Sequence, residues 1–168
     1  YGLWFPVDVS TSSRATIGGM AGNNSCGGRS IRYGMMRDNV LEIEAILSDG
    51  SIYNFGKLDP SNTLRSKELA PKIISHLIKL ANENEKEILS KFPKVLRRVG
   101  GYNIDALLSD AMATRPNGKI GDGINLSHLL VGSEGTLAYS YSIKLKLSPL
   151  PSKKIMGICH FPSFYEAM

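Results

Sequence analysis

Hydrophobic and polar positions alternate most cleanly over residues 137–147. Leu137, Tyr139, Tyr141, Ile143, Leu145 and Leu147 fall at every second position, with Ala138, Ser140, Ser142, Lys144 and Lys146 between them. Side chains alternate across a strand, so this spacing predicts an antiparallel strand with one face in water. Pro149 and Pro151 end it. Asn39–Leu47 is apolar and β-prone, and Asp49-Gly50 separates it from a second β-prone run, Ser51–Phe55, which predicts a hairpin. Leu69, Ile73, Leu77 and Leu80 recur at helical spacing, with Pro71 tolerable only in the first turn. Asn84, with Glu87 three residues on, reads as the cap of a second short helix ending before Pro93. Gly100-Gly101 breaks the chain, Asp105–Met112 reads as a further helical turn, and Arg115–Asp122 and Asp59–Asn62 read as loops. Residues 6–34 are rich in Gly, Ser and Asn and read as loop with short turns. Ile155–Phe161 reads as a new strand opening a second unit. Hairpin strands, a helical insertion and a late antiparallel strand place the chain in the α+β class, not in a βαβ array.

Two glycine-rich segments punctuate this pattern. One runs Thr16-Ile17-Gly18-Gly19-Met20-Ala21-Gly22-Asn23-Asn24-Ser25-Cys26-Gly27-Gly28; the other runs Leu129-Leu130-Val131-Gly132-Ser133-Glu134-Gly135-Thr136-Leu137. Glycine lets backbone approach a bulky ligand closely, and small polar neighbours add donors and acceptors without bulk. Two such surfaces in one chain suit a large, flat, polar ligand held mainly by backbone, and a flavin nucleotide fits that description. Each segment also has a plainer explanation, an ordinary Gly/Asn/Ser loop for the first and a tight turn before a strand for the second.

The 168-residue length suits one domain with a real core. No apolar run approaches the roughly 20 residues that span a bilayer, and no basic-then-apolar leader opens the chain. The net charge of +5 is scattered, so neither clustering nor motif points to nucleic acid. Cys26 and Cys159 lack CxxC spacing and suggest neither a disulfide framework nor zinc. His76, His128 and His160 lie too far apart for a metal-ligand pattern. Glu83, Glu85 and Glu87 read as a solvated helix face, and Trp4 and Phe5 as core residues. An apolar opening with nothing before it, and a capping box at Ser163 and Glu166 that starts a helix just before Met168, suggest a fragment of a longer protein.

Taken in order, several strings carry a family signature. Pro6-Val7-Asp8, Ser12-Ser13 and Thr16-Ile17-Gly18-Gly19 resemble the middle of the FAD domain of the vanillyl-alcohol-oxidase/PCMH-type flavoproteins. Arg32-Tyr33-Gly34, Arg37-Asp38-Asn39-Val40 and Gly132-Ser133-Glu134-Gly135-Thr136-Leu137 resemble its glycolate oxidase and D-lactate dehydrogenase branch. Arg97-Arg98-Val99-Gly100-Gly101-Tyr102-Asn103 and Cys159-His160-Phe161-Pro162 resemble the long members fused to an iron–sulfur module. At Ala138 the chain departs from the family's more usual glycine.

The resemblance implies a fold, a cofactor and a reaction class. Residues 1–150 would be the second subdomain of a PCMH-type FAD-binding domain, an antiparallel sheet with flanking helices, and 151–168 the beginning of a truncated substrate cap. The cofactor would be FAD. The reaction would be oxidation of a small D-2-hydroxy acid (D-lactate, glycolate or D-2-hydroxyglutarate), with electrons leaving to an iron–sulfur, quinone or cytochrome acceptor. A cytoplasmic setting, or one peripheral to the inner membrane, is expected. Family contacts to the flavin map onto Pro6, Asp8, Ser12, Ser13, Thr16, Gly18, Gly19, Gly22, Asn23, Asn24 and Ser25, and onto Glu134, Gly135, Thr136 and Leu137. No catalytic base and no metal ligand is assigned. Without the other FAD half and the cap, the chain alone is expected to bind flavin poorly and to expose apolar surface.

Some residues stay open between roles. Arg32, Tyr33, Arg37 and Asp38 suit orienting a neighbouring loop, facing the flavin, or forming a structural salt-bridge cluster, and Asp38 and Asn39 equally suit a cap on the turn before the strand. A non-catalytic interaction module, or another enzyme of this fold such as a sugar oxidase or a cell-wall precursor reductase, is the alternative to a hydroxy-acid dehydrogenase.

Overall fold

A computed structural model describes residues 1–59, 68–95, 97–108 and 123–168. The expected loops at Asp59–Asn62 and Arg115–Asp122, and the end of the turn expected over Asp105–Met112, fall wholly or partly outside them. The centre is a three-stranded antiparallel sheet. Strand β2 (Val40–Ile46) lies between β3 (Ile52–Phe55) and β4 (Tyr139–Leu145). The Asp49-Gly50 hairpin forms as its sequence predicts. Gly50 takes φ 82°, and Asp49 Oδ1 accepts from the Ser51 N–H at 2.9 Å and the Ser51 hydroxyl at 2.6 Å. A second, smaller pairing joins β1 (Leu3–Trp4) to β5 (Ser148–Pro149).

Strand β4 departs from its sequence pattern. Ala45 pairs with Ser140, but the preceding Glu44 pairs with Ser142, which leaves Tyr141 as an extra residue. A bulge of this kind reverses the alternation on one side of it. Ile143 opposite Ile43 and Ser140 opposite Ala45 therefore face the core side, while Tyr139 and Tyr141 stand 71% and 67% exposed. A matching irregularity at Leu41 on β2 lets both Val40 and Ile43 be buried although they lie three residues apart.

Helix α4 (Leu69–Glu83) forms as the periodicity predicts, and Pro71 sits within its first turn. Its buried face is turned slightly from the expected stripe. Ala70, Ile74 and Ala81 are buried, whereas Ile73 and Leu80 are exposed. The small alanines allow closer approach to the core than the leucine row would. Helix α5 (Glu85–Lys91) follows and ends before Pro93. Asn84 precedes it but caps the helix before it, its Nδ2 donating to Leu80 O at 2.8 Å. A 3₁₀ turn at Ile104–Leu107 packs on α4, and helix α6 (Ser127–Leu130) packs on β2. Met36, Ile43, Ile74, Leu107, Leu126 and Val131 form the centre of the core. Each such side chain contributes about 1.5–3 kcal/mol when fully buried.

The glycine-rich stretch is more ordered than its composition predicts. It holds three short helices: α1 (Ile17–Gly22), α2 (Ser30–Tyr33) and α3 (Met36–Asn39). The strand expected at Ile155–Phe161 does not form. Among the described residues no strand lies beside it, and Ile155, Met156, Ile158 and Phe161 are exposed. A strand without a partner leaves its backbone groups to water. The capping box at the far end forms on its Ser163 side, with the Glu166 N–H donating to Ser163 Oγ at 3.3 Å at the start of α7 (Phe164–Ala167). No helix among the described residues is long and apolar enough to cross a membrane.

Candidate functional site

The two glycine-rich segments meet in space. The Gly132 N–H donates to Ala21 O at 2.9 Å, and the Glu134 N–H donates to Gly22 O at 2.9 Å. These bonds cross more than a hundred residues of sequence and fuse both segments into one surface. Their contact is close: a Cβ on Gly22 would lie 3.7 Å from Glu134 Cα, and one on Gly132 would lie 3.2 Å from Asn24 Cβ.

Local chemistry sets the first segment. Thr16 Oγ1 accepts from the Gly19 N–H at 3.1 Å and caps α1. The helix ends within six residues as Asn24 turns left-handed at φ 47°. Asn is among the few residues that tolerate this region. Ser12, Ser13, Thr16, Gly18, Gly19 and Asn23 are exposed, and Gly22 and Ser25 are half-buried. A Cβ on Gly18 would meet nothing within 4 Å, so bare backbone faces open space there.

The second segment is a strained turn. Gly132, Glu134 and Gly135 all have positive φ, at 84°, 53° and 75°. Glutamate has no intrinsic reason to adopt such a conformation, and backbone outliers of this kind gather at functional sites. Thr136 holds the turn from below: its hydroxyl donates to Ser133 O at 2.6 Å and shares a 2.9 Å hydrogen bond with Tyr102 OH. Glu134 through Leu137 are exposed. Ala138 packs against the core, so its methyl points away from that exposed surface.

Behind the junction lies a buried polar hub that sequence reasoning missed as a unit. Asn103 Oδ1 accepts from Arg37 at 2.8 Å and Arg98 at 3.2 Å, while its Nδ2 donates to Val131 O at 2.8 Å and His128 O at 3.2 Å. Asp105 pairs with Arg98 at 2.6 Å and with Arg37 at 3.7 Å. Asn24 Oδ1 accepts the Arg37 backbone N–H at 3.0 Å. The hub thus ties the first glycine segment, α3, the Gly100-Gly101 loop and the carbonyls that lead into the second segment. Burial lowers the Arg37 guanidinium from its usual value, and the Asp105 and Asp38 carboxylates work against that shift. The available signal was polar Arg98, Asn103 and Asp105 standing beside the apolar run at residues 106–108.

Other expected site residues have clear placements. Asp8 is occupied: its Oδ1 accepts the Arg29 N–H at 3.0 Å, and its Oδ2 lies 3.8 Å from Arg29 Nε. Pro6 and the Asn24 side chain are buried. Of the residues left open between roles, Arg37 belongs to the salt-bridge cluster. Asp38 caps, its Oδ2 accepting from the Met35 N–H at 2.8 Å, and Asn39 Nδ2 donates to the Tyr33 and Met35 carbonyls at 2.9 Å each. Arg32 stands over the Tyr33 ring at 5.4 Å. Trp4 and Phe5, expected in the core, are half-buried, and Trp4 meets Tyr33 edge to face at 5.6 Å. Both cysteines are free thiols, Cys26 half-buried and Cys159 exposed. Among the described residues no cluster of His, Cys, Asp and Glu could hold a metal ion.

Comparison with known proteins gives a consistent set of likenesses. Residues 1–56 match the family described as FAD binding domain. The whole chain aligns at 32% identity with D-2-hydroxyglutarate dehydrogenase of Pantoea ananatis, covering 16% of that protein. It aligns over 99% of its length, at 29% identity, with a probable mitochondrial D-lactate dehydrogenase of Danio rerio, covering 22% of that protein. A third of the chain is 42% identical to glycolate oxidase subunit GlcD of Bacillus subtilis, over 12% of that subunit. The chain therefore spans less than a quarter of each of these relatives.

Proposed function

We propose, from the membership of this chain in the FAD-linked oxidase family and its D-lactate and glycolate branch, that the joined glycine segments form one wall of a flavin site in a D-2-hydroxy-acid dehydrogenase. The observation that carries this reading is the pair of hydrogen bonds from Gly132 and Glu134 to Ala21 and Gly22. It makes one surface of two segments whose composition separately suits a flat polar ligand. Within this reading, residues 1–150 are the second subdomain of a PCMH-type FAD-binding domain, and 151–168 open the substrate cap.

The residues present fit FAD. Exposed backbone at Gly18, Gly19 and Gly135 admits close approach, and the hydroxyls of Ser12 and Ser13 offer hydrogen bonds to carbonyl, ribityl or phosphate oxygens, while the Thr136 hydroxyl is already committed to Ser133 O and holds the turn. Bound FAD supplies the hydride acceptor. The protein's own part here is to hold the cofactor in register and to exclude water from one side of it. The hub of Arg37, Asn103 and Asp105 keeps both segments fixed while it does so. The substrate in this reading is D-lactate, glycolate or D-2-hydroxyglutarate, and electrons pass on to an iron–sulfur, quinone or cytochrome acceptor.

Anaerobic addition of each acid to the full-length, flavin-loaded protein tests the activity. One D-acid is expected to bleach the flavin absorbance while its L-enantiomer does not; bleaching by none of them contradicts the reading. Gly18→Ala tests the cofactor wall. In an exposed helical turn alanine is favoured over glycine by about 1 kcal/mol, and the new methyl has open space. The variant should therefore melt no lower than the parent without flavin, yet bind FAD about tenfold more weakly, a loss of about 1.4 kcal/mol. Unchanged affinity would remove Gly18 from the wall.

A further inference from the structure

A separate cleft of about 480 Å³ opens at the far end of the first glycine-rich segment, beside Gly28. Its walls bring together Trp4, Arg29, Arg32, Tyr33, Lys153 and Lys154. They come from the start, the middle and the end of the chain, so the fold and not local sequence assembles them. Among the described residues no carboxylate lines the cleft. Arg29 already has Asp8 as a partner, at 3.8 Å. Among the described residues, no carboxylate lies within ion-pair distance of Arg32, Lys153 or Lys154. Three cations thus face one concavity without neutralisation.

The aromatic pair adds shape. Trp4 and Tyr33 meet edge to face at 5.6 Å, with Arg29 over Trp4 at 4.9 Å and Arg32 over Tyr33 at 5.4 Å. Stacking of this kind restricts a guanidinium and leaves its planar fork free for a carboxylate or phosphate. The volume falls within the range of small-molecule sites, roughly 300–1,000 Å³. A concave wall with one sign of charge concentrates its counter-ion.

We propose that this cleft binds a small ligand carrying at least two negative oxygen-acid charges, a dicarboxylate or a phosphate ester, between Arg32, Lys153 and Lys154. The proposal stands on the cleft alone and does not require the flavin reading.

Trp4, the one tryptophan in the sequence, lines the cleft and reports on it directly. Its fluorescence in the 168-residue chain would be followed during titration with D-2-hydroxyglutarate, pyrophosphate, inorganic phosphate, and acetate as the singly charged control, all at constant ionic strength. A saturable change with a doubly charged probe, at a concentration at least tenfold below any effect of acetate, is expected. Response to D-2-hydroxyglutarate alone identifies a dicarboxylate site; response to pyrophosphate or phosphate alone identifies a phosphate site. Arg32→Gln combined with Lys154→Gln should weaken binding at least tenfold without changing the thermal midpoint, since both side chains are exposed. Equal responses to acetate and the dianions, no saturable response, or full affinity in the double variant would overturn the proposal. Flavin absorbance recorded on the same samples shows separately whether cofactor uptake succeeds or fails.

Discussion

Gly27→Ala should abolish the native arrangement of the first glycine segment. A Cβ at this position would lie 1.3 Å from Asp8 O and 2.5 Å from Asp8 C. Neither is the far end of a flexible side chain, so the backbone itself must move. Moving Asp8 breaks the bond from the Arg29 N–H at 3.0 Å and disturbs Val7, which is buried in the core. Forced overpacking against rigid neighbours costs typically 1–3 kcal/mol and exceeds 4–5 kcal/mol in exceptional cases. This overlap belongs to the exceptional class. A fall of this size would remove most of the stability of a domain at the low end of the usual range of about 5–15 kcal/mol and lower the melting temperature steeply in any other. Thermal denaturation followed by circular dichroism checks it, with Gly18→Ala as the control that adds the same methyl in open space. A Gly27→Ala variant that melts within a few degrees of the parent would show that the Asp8 backbone is free to yield.

Asn103→Leu should cost about 3–5 kcal/mol, by removing the centre of the buried hub. Leucine keeps the branching of asparagine at Cγ with greater bulk, and it removes every hydrogen bond of the amide, so the chemical loss adds to any overpacking. Arg37 and Arg98 lose a shared acceptor, and the carbonyls of Val131 and His128 lose a donor. A buried donor or acceptor left without a partner costs about 1–3 kcal/mol, and breaking a buried charged network costs about 3–5 kcal/mol. Arg37 is the most sensitive member of the hub, because among the described residues its buried Nε already has no hydrogen-bond partner. Further loss at its other nitrogens falls on a group that burial already strains. Urea denaturation of the variant gives the stability change, and flavin titration of the same protein reads the effect on both glycine segments together. Asn103→Leu with parental stability would mean that water or another side chain replaces the amide.

Much of the fold was legible because local rules and tertiary packing agree. The Asp49-Gly50 hairpin, the helix carrying Pro71 in its first turn, and the Asp38 cap follow from turn and capping chemistry within a few residues. The failures share a different cause. Tyr139 and Tyr141 stand in phase with Ile143 in the sequence, yet the bulge opposite Glu44 and Ala45 turns them to solvent. That bulge depends on pairing with a strand about a hundred residues earlier, which no local window contains. The face of α4 was misjudged for the same reason: the choice of Ala70 and Ala81 over Leu80 reflects what stands opposite the helix. Ile155–Phe161 has strand composition but no neighbour among the described residues to pair with.

The candidate site was legible as composition and not as geometry. Glycine, serine and asparagine marked both segments. Nothing in the chain announced that the Gly132 and Glu134 amides would bond the carbonyls of Ala21 and Gly22. Asn24 illustrates the gap. Its place in a polar glycine-rich string suggests a ligand contact, but the fold buries its side chain and spends Oδ1 on the Arg37 amide. The residues that set the site's shape, Asn103 and Asp105, lay outside both strings.

The central claim is that the two glycine segments act as one flavin wall. Hydrogen–deuterium exchange of the full-length protein, with and without FAD, tests it most directly. The account predicts slower exchange on FAD addition at residues 16–25 and at residues 132–137 in the same experiment, with Gly18→Ala reducing protection in both. Protection confined to one segment, or absent from both while FAD is bound, would contradict it.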